Sequence, residues 1–158
     1  MIAYLIEHGA KVDAPKSTGA TALSVAAEKG HLNVVSFLLE KGAAIDSRNN
    51  EQATPLFIAA QNGHADVAAY LIDRGADINS VTEKNANALG VAAWNGHKEV
   101  VALLLSKGIF GINSPSTDGS TPLHYAAHKG HSGIAEILMQ NNAKVRNTKI
   151  QKLTKTKG

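Results

Sequence analysis

The chain repeats itself every 33 residues, and that period limits the fold more than any other feature of the sequence. The frame A-A-x-x-G-H occurs four times: A-A-E-K-G-H at 26–31, A-A-Q-N-G-H at 59–64, A-A-W-N-G-H at 92–97 and A-A-H-K-G-H at 126–131. Its glycines, Gly30, Gly63, Gly96 and Gly130, are spaced 33, 33 and 34, and a second series, Gly9, Gly42, Gly75 and Gly108, is spaced 33 throughout. Leu23, Leu56, Leu89 and Leu123 keep the first rhythm. The extra residue lies in "GIFGIN" (108–113), one longer than the corresponding "GADIN" (75–79). A unit this short cannot bury its own apolar face, so the period predicts a stack of like units sharing one continuous core.

Each unit reads as two short helices. The first opens at Thr21, Thr54, Asn87 or Thr121, whose side-chain oxygens can accept an orphan backbone N–H. Pro55 and Pro122 follow at the first helical position, where a missing N–H costs nothing. The Gly30 series stops this helix in the left-handed conformation. The second helix carries apolar residues at helical spacing, as in Val34, Val35, Leu38 and Leu39. It closes at the Gly42 series, for which Asn142 substitutes in the last unit.

The chain has 158 residues with only 4% aromatic ones, so alanine and leucine must do the packing and inner helices must approach closely. The absence of cysteine excludes disulfides, thiolate metal sites and cysteine nucleophiles. Together with the lack of an N-x-S/T sequon, it favours an intracellular protein, cytoplasmic or nuclear. The start lacks the basic leader and the apolar length of a signal peptide, and no apolar run approaches a membrane span. The net charge of +3 hides an asymmetry. Lys144, Arg146, Lys149, Lys152, Lys155 and Lys157 lie near the end with no acid among them. The ten remaining basic residues face thirteen acidic ones. A mildly acidic body argues against nucleic acid.

"DGSTPLHYAAHKGHSGIAEILMQNNAKV" (118–145) and "ATPLFIAAQNGHADVAAYLIDRGADIN" (53–79) resemble the ankyrin repeat, as do T-P-L, A-A-x-x-G-H and L-L-x-x-G-A at a 33-residue period. The resemblance covers 1–147: a half repeat (1–15) and whole repeats at 16–48, 49–81, 82–115 and 116–147, followed by a basic tail at 148–158. It implies a mainly α solenoid of stacked helix–turn–helix units with β-hairpin fingers between neighbours. Met1 aligns with Val34, inside an outer helix, which fits either a cap reduced to one helix or a segment of a longer array. In the third unit N-A-N-A-L-G-V-A-A stands where T-P-L-H is expected. Gly90 should cost about 0.5–1 kcal/mol relative to alanine, so this unit is expected to be the weakest.

The sequence offers little chemistry. His124, His128 and His131 have metal-like spacing, but His131 belongs to the G-H series and His124 to T-P-L-H. No phosphate-cradling glycine loop and no nucleophile elbow occur, and Asp73 and Asp77 fall at solvent positions of the repeat. No catalysis, metal, cofactor or small-molecule substrate is therefore expected. The tail lysines leave open an association with nucleic acid or anionic lipid. "LIDRGADIN" (71–79) resembles a context hydroxylated at its asparagine in animal ankyrin repeats, which marks Asn79; a turn role also explains that residue.

The family resemblance implies a protein-binding scaffold, or the substrate-recruiting segment of a larger enzyme or effector. Partners would meet the fingertips and the outward positions of the inner helices. Those carried over are Glu28, Lys29, Phe57, Gln61, Trp94, Asn95, His128 and Lys129, with Glu51, Lys84 and Asp118 at the fingertips. Trp94 has two explanations. It is either an aromatic anchor for a partner or a cover that leans over the bare backbone of Gly90 and packs against Gln61 or His128.

Overall fold

The computed structural model describes residues 8–144. The basic tail at 148–158 and the first seven residues of the half repeat lie outside that range. Eight α-helices occur among the described residues. The inner row is α1 (Ala22–Lys29), α3 (Pro55–Asn62), α5 (Ala88–Asn95) and α7 (Pro122–Lys129). The outer row is α2 (Leu32–Glu40), α4 (Ala65–Asp73), α6 (Lys98–Ser106) and α8 (Ser132–Gln140). A single 3-10 turn, Gly111–Asn113, follows α6. Inner helices pack on inner helices, outer on outer, and each inner helix on its own outer partner.

The local signals act as their chemistry requires. The side chains of Thr21, Thr54, Asn87 and Thr121 accept the N–H of Ser24, Phe57, Gly90 and His124. Gly30, Gly63, Gly96 and Gly130 end their helices at φ of 70°, 79°, 81° and 75°, and Asn142 takes the left-handed conformation at φ 67°. The core lies between the two rows. Leu23, Leu56 and Leu89 of the inner helices and Leu38, Leu71, Leu104 and Leu138 of the outer ones are buried, each stabilising the stack by about 1.5–3 kcal/mol. Ala27, Ala59, Ala60, Ala92 and Ala93 are fully covered, as close helix approach demands. The buried residues form two clusters, one largely of repeats 1 and 2 and the other largely of repeats 3 and 4.

The fingers are hairpin turns too short to form strands. Each closes with one backbone bond across five residues: Lys16 to Ala20, Asn49 to Ala53, Thr82 to Ala86 and Ser116 to Ser120. The only β-bridge among the described residues joins Val81 and Asn87. Neighbouring fingers are tied together by the N–H groups of Asn50, Glu83 and Thr117, which donate to the carbonyls of Thr18, Glu51 and Lys84. A second ladder runs behind them. Asp13, Asp46, Asn79 and Asn113 accept the backbone N–H of Ala44, Asp77, Phe110 and Lys144, each in the following turn.

The fixed Gly-His pair also joins repeats. Nε2 of His64 lies 2.9 Å from the carbonyl of Glu28, that of His97 3.0 Å from Gln61, and that of His131 3.2 Å from Trp94. Each imidazole thereby lies over the glycine of the preceding repeat. A methyl group on Gly30 or Gly63 would stand 2.6 Å from a ring nitrogen of His64 or His97. These glycines are required twice, by their positive φ and by the ring above them.

The departures of the third unit support one another. In repeats 1 and 2 the capping hydroxyls of Thr21 and Thr54 bond those of Ser47 and Ser80. Across the longer turn of repeat 3, Asn87 replaces both functions. Its Oδ1 caps Gly90 at 2.8 Å, and its Nδ2 donates to the carbonyl of Gly111 at 2.9 Å. Threonine carries its donor and its acceptor on one oxygen, whereas the asparagine amide sets them on two atoms that reach both partners.

Candidate functional site

The inner helices present one face to solvent, and the variable letters of the frame lie on it. Glu28, Lys29, Gln61, Trp94, Asn95, His128 and Lys129 are all exposed there, and Phe57 is half-buried. The family resemblance implied one shared surface for these residues. Which of them touch was decided by the stacking.

Trp94 is 37% exposed and packs toward repeat 4. The His128 ring stacks on it with centroids 5.9 Å apart and a 19° interplanar angle. The ammonium of Lys129 lies 4.0 Å from the indole centroid, close enough for a cation–π attraction of about 0.5–1 kcal/mol at an exposed site. Tyr125 meets the indole edge-on at 5.4 Å and 90°. Among the described residues Phe57 is not one of its ring contacts.

The ring nearest the Cβ position of Gly90 is that of Tyr125. A Cβ on Gly90 would lie 3.6 Å from two atoms of the tyrosine ring. Tyr125 occupies the place of Val25, Ile58 and Val91 in the other units, and this larger ring fills the volume that Gly90 vacates in the unit before. Its hydroxyl bonds that of Ser116 and donates to Asp118 at 3.2 Å. Burial raises the Tyr125 pKa above its ordinary value. The Asp118 carboxylate accepts from the Ser116 hydroxyl at 2.7 Å and the Ser120 N–H at 2.8 Å, and these bonds hold its pKa below the usual value. Tyr125 was not singled out from the sequence, although the adjacent exchange of small for large across two repeats is visible there.

Toward repeats 1 and 2 the same face opens into a groove of about 510 Å³ lined by Ser24, Glu28, Ile58, Gln61, Asn62 and Asn95, with Asn49 at the finger side. Ser24 and Ile58 hold the positions that Gly90 and Tyr125 occupy in repeats 3 and 4, and no aromatic residue lines the groove. Glu28 and Lys29 form an exposed ion pair at 3.1 Å, of the kind that contributes little stability. At the fingertips Glu51, Lys84 and Asp118 expose their side chains on the turns described above. Asn79 is exposed while its side-chain Oδ1 accepts the Phe110 N–H and holds that turn.

Each of the three clustered histidines has a separate partner. His124 Nδ1 accepts the Thr121 N–H at 3.1 Å in a capping box, His128 stacks on Trp94, and His131 reaches the Trp94 carbonyl. No described helix is long and apolar enough to cross a membrane.

No curated protein matches the chain closely. The family model for ankyrin repeats (3 copies) matches residues 1–82 and 77–149, which together span most of the sequence. Ankyrin repeats are generally protein–protein interaction modules. The repeat period, the two rows of capped helices and this match agree: the chain belongs to the ankyrin-repeat family.

Proposed function

We propose that this chain is a non-catalytic scaffold that binds a partner protein along the face of its inner helices, with Trp94 as the central anchor. Around it Phe57, Gln61, Asn95, His128 and Lys129 form the middle of the surface, Glu28 and Lys29 one end, and Glu51, Lys84 and Asp118 the finger edge. The observation that carries the reading is the state of Trp94. More than a third of its surface meets solvent, while contacts to Tyr125, His128 and Lys129 restrict the ring. A large aromatic held in place before a partner arrives loses little freedom on binding, and tryptophan is enriched among residues that dominate interfaces. The Tyr125 ring beside Gly90 also supports this reading.

Selection of a displayed random-peptide library on the full chain, with Trp94→Ala as the comparison target, tests this. Selected peptides are expected to lose at least about 2 kcal/mol of affinity on the variant, roughly thirtyfold. Urea unfolding should show a smaller loss of stability, about 1 kcal/mol, from the partly buried indole. Peptides that bind both proteins equally would remove Trp94 from the site.

A further inference from the structure

We infer that the partner segment covering Trp94 carries an aspartate or glutamate beside the residue that meets the indole, and that Lys129 seats its carboxylate. The inference rests on the interaction face proposed above and names the chemistry of its Trp94 end. A lysine precedes the stop glycine in the first and the last inner helix, as Lys29 and Lys129. The two equivalent lysines stand in different company. Lys29 follows Glu28 and pairs with it at 3.1 Å. Lys129 follows His128, which brings no carboxylate. Among the described residues no carboxylate pairs with the Lys129 ammonium, and its single polar or ring interaction is with the Trp94 indole. The frame letters between them, Gln61, Asn62, Trp94 and Asn95, are uncharged. Asp118 lies on the finger before α7 and is engaged by Ser116, Ser120 and Tyr125. The length of α7 separates it from Lys129, about 10 Å of helix, which exceeds the screening length of about 8 Å at physiological ionic strength. Beyond Lys129 the only acidic side chain in the sequence is Glu136, on the outer helix α8.

The stacking of repeats sets where this charge stands. Lys41 and Arg74 also lie over rings, those of Phe37 and Tyr70, at 5.5 and 4.7 Å, but each shares a helix end with its ring. Lys129 reaches from α7 to a ring on α5 and comes to 4.0 Å from its centroid. The ring takes the place of water on one side of the ammonium and supplies no oxygen to its three N–H donors. A carbonyl could accept from those donors but would leave the charge. A carboxylate accepts and neutralises together, in a charge-assisted bond stronger than a neutral one. A lysine already held against a ring also has less side-chain freedom to lose when the partner arrives.

The test uses the full chain and the peptides that a displayed random library yields on it. Peptides that depend on Trp94 should carry aspartate or glutamate next to an apolar residue. One such peptide and its counterpart with the acid replaced by the amide are then titrated against the native chain and two variants. On the native chain the amide form should bind about tenfold more weakly. Lys129→Met keeps an apolar stem against the indole and removes the charge. It should weaken the acidic peptide by about tenfold and bind the two forms equally. Lys41→Met removes the same charge from the outer row and should change neither titration. Trp94-dependent peptides without an acid would discard the seat and keep the interaction face. An acid–amide difference that survives in Lys129→Met, or an equal loss in Lys41→Met, would also overturn the seat. A library that yields no Trp94-dependent peptide would count against the face itself and remove the seat with it.

Discussion

Repeats 1 and 2 and repeats 3 and 4 follow the same backbone plan and finish it differently. In the first half, hydroxyl pairs join the capping threonines to Ser47 and Ser80, and Ser24 and Ile58 leave the inner face open as a groove. In the second half, Asn87 bridges to Gly111, Tyr125 fills the space at Gly90, and Trp94 lies against Tyr125, His128 and Lys129. One end thus offers an open polar groove with a carboxylate, and the other a tryptophan beside a lysine. The difference shows that in this stack two or three side chains per seam set the shape and charge of the inner face, while the helices stay in register.

The largest effect should come from exchanging the filler for a void. Tyr125→Ala removes the ring over Gly90 and the edge contact with Trp94, and should cost about 3 kcal/mol. Ile58→Ala, at the equivalent position of an already open seam, should cost about 1 kcal/mol. Urea melts of both variants decide whether the halves are packed as differently as described, and equal losses would break the comparison.

The next effect concerns the Gly-His contact. Gly63 and Gly130 share a positive φ, 79° and 75°, so alanine at either should cost about 1–2 kcal/mol from the backbone alone. Only Gly63 lies under a histidine ring; nothing stands within 4 Å of a Cβ at Gly130. Gly63→Ala should therefore exceed Gly130→Ala by about 1–2 kcal/mol. Matching melts would mean that the imidazole moves aside without loss and does not join the halves.

The smallest effect sharpens the reading of the third unit. Asn87→Thr restores the residue type of the other repeats, yet should destabilise by about 1 kcal/mol, because the bond to the Gly111 carbonyl is lost. Amide exchange over 86–112 should rise in the variant. A more stable variant would show that the departures weaken the unit rather than compensate for one another.

Legibility followed distance along the chain. The caps at Thr21, Thr54, Asn87 and Thr121 and the left-handed stops at Gly30 and Asn142 could be read from the letters, because each depends on residues within a few positions, whereas the shared face of Glu28, Gln61 and Trp94 was implied by the family resemblance. Tyr125 was missed because its role exists only opposite Gly90. The fingertip aspartate Asp118 could be placed on its turn, but its bonds to Ser116 and Tyr125 could not be foreseen.

The sequence by itself determined the 33-residue unit and the ends of the helices. These follow from backbone preferences and apolar periodicity, which act locally and recur in every unit. Only the tertiary structure decided which side chains close each seam. The seating of His131 on the Trp94 carbonyl joins residues 37 apart, and the reach of Asn87 to Gly111 spans 24. Such contacts depend on the volume left between two packed helices, and that volume exists only after they have stacked.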